Sequence, residues 1–417
     1  MSRPRLLVLT QSLPYPPQSG VANRTFNVLR QLSLAYDIDL LAFARVNHHP
    51  DERARATARE ALSRVATHVA EPTPIPNERS TTRRLWDHLR SLLHGRPYTY
   101  YEYDSDTFAL RLHTLLRTQT YDLVHLDSLD MHRWLADLPR VPVACTHHNL
   151  ESQLLRRYAA GLSPAIVRQY VRLQARRLER LERDVCPRLD LNVMVSDIDA
   201  RGLAAIAPGA VTTVVPNGTD VDFFQPRGDK TVSGRVAFVG PTYSFPNRDA
   251  VEFFLDEMWP NVRRRTPHAS LHLVGRNAGA DAARYGNVPD VTPLGHVADI
   301  RDPLAQASCC VVPIRIGGGT RLKILDAWAM GKAIVSTSIG CEGLEARDGE
   351  NILIRDEPDA FAAAVSEVLR DDALRMRLEQ NARRTALDVY AWDRVGRRLR
   401  DAYDGLLVHP SPSVAVG

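Results

Sequence analysis

The sequence predicts an α/β fold of two consecutive, doubly wound, Rossmann-like domains, and three observations carry that prediction. Short, near-continuous apolar runs recur along the 417 residues with helical patterns between them. Runs of this kind mark strands covered on both faces, and strands that alternate with helices assemble into a parallel sheet. The pattern also stops near residue 217 and restarts after residue 234, and 417 residues suffice for two cores of ordinary size.

In the first domain, residues 1–216, the strand candidates are Leu6–Leu9, Ile38–Phe43, Leu123–Leu126, Val141–Cys145, Leu191–Val195 and Val211–Val215. Residues 217–234 read as an interdomain linker. The second domain, 235–385, carries Val236–Val239, Ala269–Val274, Cys309–Val312, Ala333–Ser336 and Ile352–Ile354. Residues 386–407 read as a helix crossing back to the first domain, and 408–417 as a flexible tail. Paired domains of this kind are expected to face each other across a cleft that binds ligands. Glu71-Pro-Thr-Pro-Ile-Pro76 reads as a short rigid loop.

Residues 151–185 give the longest helical signal, rich in arginine (Arg168, Arg172, Arg176, Arg177, Arg180, Arg183). Two readings stand: a solvated face with pairing to Glu179 and Glu182, or peripheral contact with anionic lipid.

The charge balance is nearly even, 53 basic against 49 acidic residues for a net +4, which argues against nucleic acid as a partner. Only three of the bases are lysines, Lys230, Lys323 and Lys332, so a lysine inside a motif stands out. The cysteines (145, 186, 309, 310, 341) form no C-x-x-C pair and read as buried thiols of a reducing, cytoplasmic compartment. Arg3–Thr10 reads as a first strand rather than a signal peptide, and no apolar run nears the ~20 residues of a spanning helix. The expected location is cytoplasmic, with the inner membrane face as the site of any peripheral contact.

The most informative segment runs from Val311 to Gly331. A strand ends in Gly317-Gly-Gly319, Thr320 is a natural N-cap, and Gly331 is a natural residue to follow the helix end, so a helix is expected over Arg321–Met330. Glycines there let backbone approach a ligand, and a helix start offers N–H groups and a positive dipole end to an anion such as a nucleoside diphosphate. Lys323 and Asp326 share a helix face, whereas Arg321 lies about 200° from Lys323. Lys323 then meets phosphate and Asp326 the ribose hydroxyls. The plain alternative is an i,i+3 ion pair between the two.

This stretch resembles the donor site of family-4 glycosyltransferases, enzymes of the GT-B fold that carry two carboxylates in an E-x7-E arrangement at this turn. Asp326 takes the second carboxylate position, which in the family contacts the donor ribose, and the first falls on Gly318. The resemblance extends along the chain through the Pro16–Gly20 loop, Thr146-His-His-Asn-Leu-Glu151, Val215-Pro-Asn-Gly-Thr-Asp220, Phe238–Asn247 and Leu273-Val-Gly275. Many members have a basic pair after the Val-Gly of the second domain's first strand. Here Gly240–Arg248 offers Pro241 and Asn247, with Arg248 adjacent, so Arg321 and Lys323, helped by Arg248, are expected to hold the diphosphate. Leu322, Thr320, Gly240 and Gly275 complete the expected donor contacts.

His147 and His148 follow a strand's C-terminal end, where open α/β sheets bind ligands; the resemblance favours His148 as the residue facing the donor sugar and acceptor. It assigns the loop at Gly20, with Asn23 and Arg24 nearby, to acceptor and phosphate contacts. Asp-x-Asp triplets at 104–106, 197–199 and 220–222 read as caps and turns, and no cluster has metal spacing. No cofactor or essential metal is expected, with Mg²⁺ bridging the diphosphate as the alternative. A dehydrogenase is excluded because Gln11-Ser-Leu-Pro-Tyr-Pro16, not G-x-G-x-x-G, follows the first strand.

The resemblance thus implies transfer of a sugar from a nucleoside-diphosphate donor to the hydroxyl of a glycan, lipid-linked or small-molecule acceptor, in polysaccharide, lipid-linked glycan or glycoconjugate synthesis. It further implies retention of anomeric configuration. The alternatives are a nucleotide-sugar hydrolase or 2-epimerase of the same fold, and a catalytically silent scaffold subunit.

Overall fold

Every residue from Leu6 to Thr10 is buried, so the first strand, β1 (Arg5–Thr10), is covered on both faces as an unbroken apolar run requires. The computed structural model describes residues 3–78, 80–227, 231–276, 279–318 and 321–408. By its internal contacts the chain divides into two compact units: Met1–Pro216 with Val395–Gly417, and Asn217–Arg394.

The first unit is built on a parallel sheet of β1, β2 (Asp37–Ala44), β3 (His68–Val69), β4 (Thr73–Pro74), β5 (Leu123–Leu126), β6 (Val143–His147), β7 (Leu191–Met194) and β8 (Thr212–Val214). Its order is β3-β2-β1-β5-β6-β7-β8, with β4 also pairing β2. The order reverses between β1 and β5. Leu7, Leu9, Phe43, Val124 and Leu126 pack under Phe108 and Trp134 on one face, with Phe43 stacked on Phe108 at 4.3 Å.

Three sequence readings change here. Thr73–Pro74 pairs with β2, where a short rigid loop was expected; proline is tolerated because the strand is two residues long. The long helical signal of 151–185 is two helices, Glu151–Ala160 and Ala165–Val185, because Gly161 and Pro164 interrupt it. The strand expected over Val141–Cys145 runs instead from Val143 to His147, which makes His147 its last residue.

The second unit repeats the scheme with β9 (Arg235–Val239), β10 (Ser270–Val274), β11 (Val291–Gly295), β12 (Cys309–Val312), β13 (Ile334–Ser336) and β14 (Leu353–Ile354). Its order is β11-β10-β9-β12-β13-β14, all parallel. Relative to chain order this is the 3-2-1-4-5-6 arrangement of a doubly wound sheet, with its switch point between β9 and β12. β11 has no counterpart among the sequence-predicted strands. It is an edge strand whose burial alternates and which contains Pro293, so it carries no continuous apolar run.

Six helices position the features below: α1 (Gly20–Leu32), α2 (Thr81–His94), α3 (Ala165–Val185), α4 (Phe245–Phe253), α5 (Leu322–Ala329) and α6 (Trp392–Val408). Residues 217–227, read as linker, are part of the second unit: Thr219 N donates to Tyr390 O at 2.8 Å. Among the described residues no helix is long and apolar enough to cross a membrane.

Candidate functional site

In the second unit the adjacent strands β9 and β10 lead into glycine turns. Gly240 follows β9 with φ 155°, and Gly275 follows β10 with φ 136°. The two turns touch: a side-chain carbon at Gly275 would lie 2.6 Å from the Gly240 carbonyl carbon and oxygen. Gly317, after β12, has φ 132°. α5 begins at Leu322, with Arg321 in the capping position and no side-chain cap, rather than at Arg321 under a Thr320 cap. Gly319 and Thr320 lie outside the described residues. The helix ends as its sequence requires. Gly331 has φ 64°, and its N–H and that of Lys332 bond the carbonyls of Trp328 and Ala327, a Schellman closure.

Lys323 and Asp326 share a face of α5 yet take separate partners. The Lys323 ammonium donates to Asn247 Oδ1 at 2.8 Å, across from the Gly240 turn, and lies 4.6 Å from the Phe238 ring centroid. Burial, then the Arg321 charge, push it down to about 7. Asp326 accepts from Thr219 Oγ1 at 2.8 Å. Burial raises its pKa to about 7, with Thr219 working against the rise and Asp220 adding to it. Arg321 donates to Gly318 O at 2.8 Å, so at the position lacking the family's first carboxylate a backbone carbonyl holds a guanidinium. Leu322 packs against the core. Asn247, on α4, is fixed from its other end by Nδ2 donating to Pro241 O at 3.1 Å. Arg248, expected to help with the diphosphate, instead pairs with Asp281 at 3.2 Å. Lys332 is structural, its ammonium on the carbonyls of Ala305 and Ala307.

In the first unit, α1 begins at Gly20, where Ser19 caps it by accepting from Ala22 N. Asn23 faces Asn27, whose Nδ2 donates to the Asn23 carbonyl at 2.9 Å. Arg24 is buried, with its guanidinium on the carbonyls of Val215 (2.8 Å) and Pro216 (2.9 Å). Burial lowers its pKa to about 10 against the pull of Asp127 and Tyr403. It anchors the chain end of this unit and is not exposed to an acceptor, contrary to the expectation from sequence.

His148 Nε2 lies 3.4 Å from Asp127 Oδ2, a buried carboxylate that also accepts from Thr25 Oγ1 at 2.6 Å and sits 3.4 Å from His125 Nε2. Burial works against the charge of Asp127, but His148 and His125 outweigh it and hold the carboxyl well below its usual range. His147 is buried, its Nε2 2.9 Å from Asn192 Oδ1, and burial lowers its pKa to about 4. Of the two histidines, His148 lies against the Asp127 carboxylate and His147 belongs to the packing.

The comparisons with known proteins match this layout. Residues 18–223 match the family described as Glycosyltransferase Family 4, and residues 233–371 match Glycosyl transferases group 1. The chain carries both domains of a GT-B glycosyltransferase.

Relatives agree at lower resemblance. The glycosyltransferase is 26% identical over 298 residues to a glycogen synthase of Mycobacterium tuberculosis, covering 66% of this chain and 68% of that one. It is 28% identical over 135 residues to an uncharacterised 44.6 kDa protein from the cps region of Klebsiella pneumoniae, covering 30% of this chain and 35% of that one. Its fold is that of Anabaena HepE, crystallised with UDP, at 14% identity and a TM-score of 0.65 over 96% of this chain and 100% of that one.

Sequence reasoning missed a polar cluster at the C-terminal ends of β1, β2 and β5 of the glycosyltransferase. Arg45, just after β2, pairs with Glu78 at 3.1 Å and Glu102 at 3.5 Å and donates to the Tyr103 hydroxyl. Tyr103 in turn donates to Gln11 Oε1 at 3.2 Å. Burial raises Glu102 to about 7 despite Arg45, and it raises Asp130 as well. These residues are scattered over more than a hundred positions with no shared motif, so only the sheet edge brings them together. The Asp-x-Asp triplets serve turns and caps: Asp220 Oδ1 accepts from the N–H groups of Asp222 and Phe223, and Ser196 caps the helix at Asp197.

Proposed function

We propose that the glycosyltransferase takes a nucleoside-diphosphate sugar on its second unit and transfers the sugar, with retention, to an acceptor hydroxyl on its first. One observation carries the reading. Lys323 is a cation in a site that disfavours its charge, fixed by a neutral amide over a glycine turn at the sheet's switch point. A diphosphate would supply the missing negative charge. Arg321 adds a second cation beside the helix start, and Asp326 accepts from the ribose hydroxyls. The cationic pair stabilises the leaving diphosphate, so no essential metal is invoked. Support comes from the shared fold of HepE, whose structures hold UDP and UDP-glucose.

On the first unit, Asp127 orients the His148 imidazole, leaving its other ring nitrogen to meet the reacting sugar. The Arg45 cluster offers charged and hydroxyl groups of both hydrogen-bonding senses to a polyhydroxylated acceptor. In this scheme the departing phosphate takes the acceptor proton, consistent with the absence of a carboxylate at Gly318. The acceptor class is glycan or lipid-linked, as in polysaccharide and glycoconjugate synthesis.

Calorimetric titration with a panel of nucleoside diphosphates and their sugars, on wild type and on Asp326→Ala, tests the reading. One diphosphate is expected to bind, at least about tenfold more weakly to the variant, the worth of one lost charged hydrogen bond. Equal binding to both would remove Asp326 from the site. Rapid acceptor-free conversion of the bound sugar to an epimer or free sugar would replace transfer by epimerisation or hydrolysis.

A further inference from the structure

A cavity of about 620 Å³ opens in the first unit where β6 begins, lined there by Val141, Val143 and Asp190. His147 and His148 stand at the other end of that strand, and the five residues of β6 put about 13 Å between its ends. The cavity is therefore separate from the Asp127–His148 cluster, and its volume suits a small molecule. Its remaining walls come from the turn after α2, from the 3₁₀ segment Leu129–Asp137 and from the end of α3, which contributes Leu181 and Val185.

The wall at Arg96 is fixed by α2 and α3. α2 packs through its polar face and leaves Leu85, Trp86, Leu89, Leu92 and Leu93 exposed. Gly95, at φ 72°, ends the helix, and the buried Ser91 hydroxyl donates to the Arg96 carbonyl at 2.8 Å. From α3, Arg177 donates to the Ser91 carbonyl at 2.6 Å, and Gln174 accepts from Tyr98 N at 2.9 Å. Hydrogen bonds to buried side chains thus hold the backbone of residues 96–98, which sets Arg96 and Tyr100 on the cavity. The Arg96 and Arg133 guanidiniums both stand over the Tyr100 ring, 4.2 and 5.0 Å from its centroid. Glu102, on the same short helix as Tyr100 (Tyr98–Glu102), pairs with Arg45, so the cavity and the sheet-edge cluster share a wall.

Charge and shape select the guest. Arg133 is engaged by Asp104 and donates to the Tyr100 hydroxyl at 2.8 Å, and Asp190 accepts from Val143 N at 2.8 Å. Arg96, Arg140 and Arg188, exposed residues that also line the cavity, make no ion pair among the described residues. Burial, opposed by the Leu129 carbonyl and reinforced by Arg96 and Arg133, lowers His132 to about 4, so the site is positive without it. Three guanidiniums match the three terminal oxygens of a phosphate monoester and its charge of about −1.5 to −2. A carboxylate, with two oxygens and a single charge, matches them less well. Leu138, Val141, Val143, Leu181 and Val185 make the floor aliphatic, which suits an apolar body on the guest. We propose that this cavity binds a small phosphate ester with an apolar body, as a site of its own in the first unit. The proposal does not rest on the donor-site reading.

Phenyl phosphate is the probe, with inorganic phosphate and phenol as its charged and apolar halves and benzoate as a carboxylate of similar body. Calorimetric titration of the full chain is expected to give saturable binding of phenyl phosphate with a Kd below about 1 mM. Phosphate, phenol and benzoate should each bind at least about tenfold more weakly. The Arg140→Gln/Arg188→Gln variant alters only exposed side chains; it should keep the wild-type melting temperature and bind phenyl phosphate at least about tenfold more weakly. Lys323→Met, in the second unit, should bind it as wild type does. Absence of binding by wild type overturns the proposal, and so does equal binding by the double variant. Inorganic phosphate or benzoate binding as tightly as phenyl phosphate overturns the ligand class. Loss of binding in Lys323→Met alone overturns the location, because it would put the probe in the donor site.

Discussion

Burial, and then the neighbouring guanidinium of Arg321, bring the Lys323 ammonium from 10.5 down to about 7, which turns one residue into a pH-dependent switch for the donor. Between pH 7 and 10.5 the folded chain binds fewer protons at this site than the unfolded chain, so the cost of Lys323 to stability is fully present below about pH 7 and is relieved as pH rises. A bound diphosphate restores the charge and takes up a proton. Nucleotide affinity is therefore expected to be insensitive to this group below pH 7 and to fall by about tenfold per unit above it. Calorimetry in buffers of different ionisation enthalpy would show the proton uptake. Lys323→Met should flatten that dependence, bind nucleotide at least about tenfold more weakly, and stabilise the free protein by about 1 kcal/mol or more near neutral pH. A variant that keeps the wild-type pH slope would remove Lys323 from the site. Spacing alone places Lys323 and Asp326 on one helix face, but their partners lie far away in sequence. Asn247 is 76 residues from Lys323 and Thr219 is 107 from Asp326, beyond the reach of any local pattern.

At the scale of elements, the two glycine turns make opposite predictions. Gly275→Ala drives a carbon into the Gly240 backbone at 2.6 Å, where nothing can yield, and should destabilise the second unit by about 2–4 kcal/mol. At Gly240 the nearest atoms are the side-chain ends of Lys323 (2.8 Å) and Asn247 (2.9 Å) and not backbone. Gly240→Ala, strained by the φ of 155°, should cost about 1–2 kcal/mol, less than Gly275→Ala, yet dislodge Lys323 and weaken nucleotide binding at least about tenfold. Thermal melts paired with titrations would separate the two, and equal losses of stability would refute the distinction. The same contrast explains what could be read in advance. β1, β9, β10 and β12 are buried on both faces, or nearly so, and show as apolar runs in the sequence. β4 and β11 lie off that pattern, short or half exposed and containing proline, so these two strands do not show as apolar runs. α2 was equally hidden: its apolar periodicity is plain, but periodicity does not say whether the apolar face turns inward.

At the scale of the whole molecule, the chain passes from the first unit to the second after Pro216 and returns at Val395. The returning segment, most of α6, completes the first unit's core. Val395, Leu399 and Tyr403 are buried; the Tyr403 hydroxyl lies 2.5 Å from His125 Nδ1, Tyr36 donates to Asp404 at 2.6 Å, and Arg400 reaches Gln31 Oε1 at 2.8 Å. Gly396 is so close to Gln31 that a side-chain carbon there would meet it at 2.2 Å. At about 1.5–3 kcal/mol for each fully buried side chain, the three apolar anchors alone contribute about 5 kcal/mol or more, comparable with the stability of a whole domain. They also stand behind the site, since His125 bridges Tyr403 to the Asp127 that holds His148. A chain ending at Arg394 should therefore lose the first unit's melting transition while the second unit keeps its own, with nucleotide binding intact. A peptide of residues 395–408 added in trans should restore the lost transition in proportion to its concentration. Two unaltered transitions in the shortened chain would show that α6 is an accessory of the first unit and not part of its core.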